Sequence, residues 1–220
     1  ILYRHICDKQ ALSLAIKLYG NKDKTNIRRM GILSELWQIM YETNNSPIIH
    51  AFEYGPNSGY HLLCEFWLSF SEKYINFRSV PIKVNNRWFW KELDVNNKDE
   101  FNIEDHCKFI ELESINNDSE LALIKFINDL NMNEPFDKNK PYWQAYYICF
   151  KDNKDIAYGY GRFHHSIGDG VLLNKIFQME HNNLWANVES KSKSKPDETI
   201  KNGADITRKI TKKKKAKSVV

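Results

Sequence analysis

The 220-residue sequence has no run of uninterrupted apolar residues near the about eighteen that a bilayer crossing requires, so no membrane-spanning helix is expected. No charged segment, apolar core and small-residue cleavage site open it, so no secretory signal is read. The four cysteines, Cys7, Cys64, Cys107 and Cys149, form no C-x-x-C pair and keep no zinc spacing with histidine. Cys64, Cys107 and Cys149, among apolar or aromatic neighbours, read as reduced core residues, which fits a cytosolic or nuclear protein. There is no internal repeat. A basic face is also missing from most of the chain. Eleven Lys and Arg from Lys191 onward, against Asp197, Glu198 and Asp205, give that tail +8, so the first 190 residues carry −4 of the net +4. An acidic body argues against a nucleic-acid-binding domain.

What is present suits a folded chain. Hydrophobic residues make up 42% and charged residues 27%, outside the disordered range. Aromatic residues reach 13%, which points to a packed core or an apolar pocket. The length fits one sizeable domain or two small ones and needs no disulfide or metal staple. The chain opens on Ile1 and is expected to be a piece of a longer or processed protein.

Periodicity gives a mixed order of elements. Leu12, Leu14, Ala15, Ile16 and Leu18 suggest a helix ended by Gly20. Residues 32–41 continue as helix until Asn44, Asn45 and Pro47. Residues 48–54 read as strand, 60–74 as an amphipathic helix, and 80–84 as strand before the cluster Trp88, Phe89 and Trp90. Residues 101–112 alternate as an extended segment, and 119–130 form a helix with Ser119 as its possible cap. Residues 142–150 and 156–163 pair as a hairpin, with Trp143, Ala145, Tyr147 and Cys149 on one face. A helix over 171–185 follows, with Val171, Leu172, Ile176, Met179 and Leu184 as its buried positions. Residues 187–220 are Lys/Ser-rich and read as linker or disordered tail. Hairpins interleaved with helices define an α+β chain with a mixed sheet, not a doubly wound parallel one.

The segment from Arg162 to Gly170 carries the chemistry: His164 and His165 end a strand, and Asp169-Gly170 opens a helix. A strand end offers a rigid support at the mouth of a cleft. Histidine is the side chain best tuned to take a proton near neutral pH. Asp169 can cap the helix or hold a cation near the histidine, and Gly170 would let backbone approach closely. The plainer alternative is a buried histidine pair satisfied by hydrogen bonds, with Asp169 as a cap. Adjacent residues on a strand face opposite ways, so the two histidines do not share a metal ion. No metal site is expected. Cys107 and Cys149 show no histidine partner, and His106 reads as a core or channel-wall residue.

This H-H-x-x-x-D-G pattern resembles the signature of acyltransferases of the chloramphenicol acetyltransferase fold and of peptide-synthetase condensation domains. Further segments are similar to the bacterial-type wax ester synthase/acyl-CoA:diacylglycerol acyltransferase family. Ile32-Leu33-Ser34-Glu35-Leu36-Trp37 resembles its L-S-x-x-D, with Trp37 at the Asp position. Ser46 to His50 resembles P-M-H, Phe77-Arg78 resembles P-x-F-R, and Trp88 to Trp90 resembles a downstream tryptophan. Phe101 to His106 resembles F-D-l-x-x-H. Pro135 to Trp143 resembles P-L-D-x-x-x-P-L-W, with Phe136 and Tyr142 in place of leucines. The likeness runs in order over residues 32–185.

The resemblance implies a two-lobed fold with a tunnel between lobes, each a mixed sheet flanked by helices. This chain corresponds to the first lobe, and the second is expected in the parent protein. The expected division is an N-terminal extension over 1–31, the acyltransferase lobe over 32–186, and a basic tail over 187–220. The implied reaction moves a long-chain acyl group from acyl-CoA, the co-substrate, to diacylglycerol or a long-chain alcohol. No bound cofactor is expected. His165 acts as general base without an acyl-enzyme. Asp169 is architectural, His164 packs or hydrogen-bonds on the other face, and Gly170 is permissive. Expected partners are these lipids and a peripheral membrane or lipid-droplet surface, with no nucleic acid. The expected location is cytoplasmic, at the endoplasmic reticulum or another membrane. The tail reads as a solvated segment, an anionic-lipid contact or a nuclear-import patch. The rival readings are a condensation-type acyl-transfer domain and an inactive half-fold serving as a binding module.

Overall fold

The computed structural model describes residues 2–20, 26–41, 47–54, 59–153 and 156–180. The chain divides into a unit Ile1–Leu172 and a unit Leu173–Val220. The basic tail over 187–220 and Leu184 lie outside the described residues.

In chain order the first unit runs α1 (Leu2–Tyr19), β1 (Ile27–Arg29), α2 (Ile32–Tyr41), β2 (Ile48–Tyr54) and α3 (Tyr60–Lys73). A 3-10 turn (Ile75–Arg78) leads to β3 (Ser79–Val84) and β4 (Arg87–Glu92). Then come α4 (Ile103–His106), β5 (Cys107–Leu112), α5 (Ser119–Asn133), β6 (Trp143–Phe150) and β7 (Ala157–Phe163). A last helix, α6, spans residues 170–180.

Two sheets form among the described residues. The smaller has the order β1-β4-β3, all antiparallel. Its β3–β4 hairpin turns on Asn85 and Asn86, with φ of 49° and 57°. Positive φ at both turn positions is the geometry that matches the twist of a two-residue hairpin, and asparagine tolerates it. The larger sheet has the order β2-β7-β6-β5. β2, β7 and β6 pair antiparallel, and β5 pairs parallel to β6. The sheet is therefore mixed, as the sequence indicates.

α1 lies on the smaller sheet. Ala11 and Ala15 pack with Ile27, Val84 and Phe89, while Asp8 bridges Arg29 and Arg87. The stretch expected as an extension over 1–31 is thus packed into the same compact unit as the rest. Small alanines there let the helix approach the sheet closely.

Helices cover both faces of the larger sheet. On one face α3 brings Trp67 against Trp143 and Phe163, with ring centroids 5.1 and 5.5 Å apart. On the other, Ala122, Leu123 and Leu130 of α5 meet Tyr146, Ile148, Phe150 and Tyr160. β6 is consequently buried on both sides, as a central strand between two helical layers must be. α5 starts where expected, but its cap is Asp118, whose Oδ1 accepts the Leu121 N–H at 2.9 Å. Ser119 instead hydrogen-bonds Ser114.

Two expectations are corrected. Residues 101–112 are not extended throughout, because Asn102 Oδ1 accepts the Glu104 N–H and starts the short α4 before β5 begins. Val171, Leu172 and Met179, expected in the core, are 83%, 47% and 47% exposed. Helical spacing gives a face, but not what the face meets.

Candidate functional site

β7 delivers the histidine segment. Arg162 is 1% exposed and holds the end of the strand. Its Nε donates to Gln144 Oε1 at 2.7 Å, and its Nη1 to the carbonyls of Leu130 and Glu134 at 3.1 and 2.7 Å. The last two are carbonyls at the C-terminal end of α5, which carry partial negative charge, and the Leu130 carbonyl also accepts the Glu134 N–H at 3.0 Å. The guanidinium also sits 4.8 Å above the Phe136 ring. Gly161, one residue earlier, leaves room for Phe163, since a Cβ there would come within 2.7 Å of the ring.

His164 leaves the strand into the interior and is 2% exposed. Its Nδ1 accepts the Ser166 N–H at 3.0 Å and lies 2.6 Å from the Ser166 hydroxyl. The ring meets Tyr142 and Phe136 edge-on at 5.1 and 6.2 Å. Burial, aided by the neighbouring His165, pushes its pKa down to about 3. It stays neutral and serves as the internal anchor of the loop. The two aromatic residues standing where the family has leucines are the walls of its pocket.

The loop is tied down further. The Ile167 N–H donates to the His164 carbonyl at 3.0 Å. The Ile167 carbonyl accepts Asn76 Nδ2 at 2.6 Å, and Asn76 Oδ1 accepts Arg28 Nη2 at 2.5 Å. Arg28 from β1 and Asn76 from the 3-10 turn thus fix a loop 91 residues along from Asn76. Nothing in the spacing of the sequence indicated either residue.

The strand stops at Phe163, so the two histidines do not end it as expected: His165 opens the turn over 165–167 and makes different contacts from His164. The His165 ring stacks on Trp37 of α2, with centroids 4.1 Å apart and planes at 18°. Its Nδ1 is sealed from solvent with no hydrogen-bond partner among the described residues. Burial lowers the His165 pKa, and the Asp169 carboxylate opposes this. A neutral imidazole at physiological pH can accept a proton. Asp169 is a cap, its Oδ1 accepting the Leu172 N–H at 2.7 Å. Gly170 is corrected: a Cβ there meets no protein atom within 4 Å, so it stands at a helix start and not at a close backbone crossing.

α2 is docked through its polar side. Glu35 is buried, accepting from Arg29 Nη2 at 3.3 Å and from the Trp88 N–H at 3.4 Å. Gln38 is also buried. Ile32, Leu33, Leu36, Ile39 and Met40 face outward, Ile32 and Leu33 being 73% and 70% exposed. The helix that carries Trp37 therefore presents an apolar ridge.

The other quoted motifs meet at Trp143. Its Nε1–H donates to the Phe77 carbonyl at 2.7 Å. His106 Nδ1 faces the Trp143 carbonyl at 2.9 Å and is the donor there. The His106 ring lies between Phe101 and Trp143, at 5.2 and 4.5 Å. Burial pushes the His106 pKa down to about 4. Three separated segments thus build one core contact, and His106 is a core residue. Among the described residues, no three His, Cys, Asp or Glu gather at a metal-binding distance.

No family model matches the chain. It is 35% identical over 81 residues to wax ester synthase/diacylglycerol acyltransferase 10 of Arabidopsis thaliana, over 36% of this chain and 17% of that protein. It is 33% identical over 98 residues to wax ester synthase/diacylglycerol acyltransferase 7 of the same organism, over 44% of this chain and 19% of that protein. The matched stretches thus span less than a fifth of either relative's length. Among solved structures, the epimerization domain from the third module of tyrocidine synthetase B aligns at a TM-score of 0.54 and 11% identity, over 84% of this chain and 41% of that one. The condensation domain of the monacolin K polyketide synthase MokA aligns at 0.52 and 13%, over 86% and 40%. The chain is thus similar, in sequence as in motif, to wax ester synthases/diacylglycerol acyltransferases, and it has the α+β fold of one lobe of the chloramphenicol acetyltransferase-like architecture.

Proposed function

We propose that this chain is the histidine-bearing lobe of an O-acyltransferase that moves a long-chain acyl group from acyl-CoA to diacylglycerol or a long-chain alcohol. The observation that carries the reading is His165, held just past the end of a pinned strand, neutral and stacked on Trp37. His165 Nε2 takes the proton of the acceptor hydroxyl as its oxygen attacks the thioester carbonyl. The tetrahedral intermediate collapses to the ester and expels CoA as thiolate. The imidazolium returns the proton to that sulfur, so the base is regenerated and no acyl-enzyme forms. The lobe holds the base rigidly, which supplies orientation. Asp169 keeps negative charge near the ring and so favours its protonated form.

The apolar ridge of α2 beside this histidine supports an apolar substrate. No helix among the described residues is long and apolar enough to cross a membrane, so contact with lipid is proposed at a membrane or droplet surface. A second lobe completing the site is part of the proposal.

The test uses the full-length polypeptide carrying this chain, with labelled palmitoyl-CoA and either hexadecanol or diacylglycerol. Wax ester or triacylglycerol appearing with stoichiometric free CoA, and vanishing in His165→Ala, is the expected result. A folded protein that forms neither ester overturns the reading. Transfer from a carrier protein instead of CoA would assign the condensation-type chemistry.

A further inference from the structure

We propose that Trp37 is a positioning residue for His165: its indole fixes the plane of the imidazole and stabilises the charged ring that forms when the base takes a proton. This rests on the acyltransferase reading above and names a residue that the His motif does not contain.

His165 is held differently from the rest of its segment. The other parts of the segment have strong local anchors: Arg162 through three hydrogen bonds, His164 through Ser166, Ile167 through Asn76, and Asp169 through the Leu172 N–H. The His165 ring has none of this kind. Its buried Nδ1 lacks a partner among the described residues, so no hydrogen bond at that atom sets the ring rotation. Rotation about the last side-chain torsion is broad and soft for histidine. The near-parallel indole face at 4.1 Å is the contact that restricts it.

Trp37 is itself rigidly placed. It sits on α2 between Glu35 and Gln38, both buried, and Glu35 bonds the Arg29 side chain and the Trp88 backbone. The stack therefore links the base to the β1–β4 sheet. It also has an electrostatic consequence. The face of an indole attracts a cation, so Trp37 favours the imidazolium over the neutral ring. The groups that act on this ring are Asp169, which favours its charge, and His164, which stays neutral and adds none. From α2 the nearest ionisable side chain in sequence, Glu35, is engaged with Arg29.

The two roles predict a particular pattern. Trp37→Leu keeps apolar bulk over the ring but removes the aromatic face. kcat should fall by at least about tenfold, because small misplacements of a catalytic group are costly. KM for acyl-CoA and acceptor should stay within about twofold, since the ring contributes orientation and charge stabilisation and no uniform binding. The acid limb of the kcat/KM profile should move to lower pH, because the protonated ring loses its stabilisation. Trp37→Phe keeps a stacking face and should recover most of kcat and of the limb.

The experiment pairs these kinetics, on the full-length polypeptide, with NMR titration of histidine-labelled protein, His165 being assigned with His165→Asn. In the wild type the His165 ring protons should carry an upfield ring-current shift. Trp37→Leu should remove that shift and lower the titration midpoint, and Trp37→Phe should keep part of both. If Trp37→Leu leaves kcat, pH limb and His165 shifts at wild-type values, the proposal is overturned. A Trp37→Phe enzyme as impaired as Trp37→Leu would also overturn it. If the shifts behave as expected but no ester forms even in the wild type, the acyltransferase reading fails and the stack stands.

Discussion

Replacing Arg162 by methionine tests the anchoring of β7, the strand that leads into the histidine pair. The substitution keeps an unbranched apolar stem and removes the guanidinium. Three hydrogen bonds are lost: to Gln144 Oε1, which keeps the Tyr146 hydroxyl, to the Leu130 carbonyl, which keeps the Glu134 N–H, and to the Glu134 carbonyl. Each hydrogen bond from a charged donor contributes about 1.5–3 kcal/mol net. Part of this is returned. Arg162 Nη2 is buried without a partner among the described residues, and removing a buried charge relieves its desolvation. The balance is a loss of about 3–5 kcal/mol, a large part of the about 5–15 kcal/mol that stabilises a domain. At about 2–4 °C per kcal/mol for this size the melting temperature should fall by about 10 °C. Urea unfolding followed by tryptophan fluorescence gives the number directly, with circular dichroism as a second probe. A loss under about 1 kcal/mol, with unchanged m-value, would refute the account of Arg162 as the clamp between β7 and α5.

Two further outcomes follow from the same geometry. His164 and His106 titrate near about 3 and about 4 in the folded chain, against about 6.5 when unfolded. Below pH 6.5 the unfolded state binds protons that the folded state does not, so stability is fully present above about pH 6.5 and is lost as pH falls toward 4. Each group adds up to about 1.4 kcal/mol per pH unit, and His106→Phe should remove one such contribution from urea midpoints measured between pH 7 and pH 5. Asp169→Asn should keep the cap of α6, because asparagine caps as well as aspartate, while removing the charge that favours protonated His165. The melting temperature should hold and the His165 titration should move down, whereas Asp169→Ala should also lose about 1 kcal/mol of stability.

The contact between His165 and Trp37 shows where a sequence pattern stops. The H-H-x-x-x-D-G spacing singled out the base and its helix-capping Asp169 because strand alternation and capping are local rules. Trp37 was noted only as a departure from a family motif, and its meaning came from a contact 128 residues along the chain. Asn76 and Arg28 had no signature at all. They act through single hydrogen bonds to a backbone carbonyl and to each other, which no periodicity encodes. The fold divides in the same way. The strands at 48–54, 80–84 and 142–150 and the helices from 60 and 119 were legible from alternation and helical spacing. β1, three residues long, exists only because β4 offers it a partner. The burial expected of Val171 and Leu172 failed because a helix face becomes core only if something covers it.

By itself, then, the amino-acid sequence determined the α+β class, the hairpin of β6 and β7, the strand that leads into the histidine pair and the likeness to wax ester synthases/diacylglycerol acyltransferases. These rest on short-range rules: side-chain alternation, caps, turns and motif order. Tertiary structure alone decided the pairing order β2-β7-β6-β5 with one parallel edge, the inward-facing polar side of α2, and the meeting of three motifs at Trp143. It also decided which histidine is walled in and which is stacked at the site. Those outcomes depend on burial and on contacts between residues far apart in the chain, and burial is what separates His164, neutral among Tyr142 and Phe136, from the half-exposed base beside it.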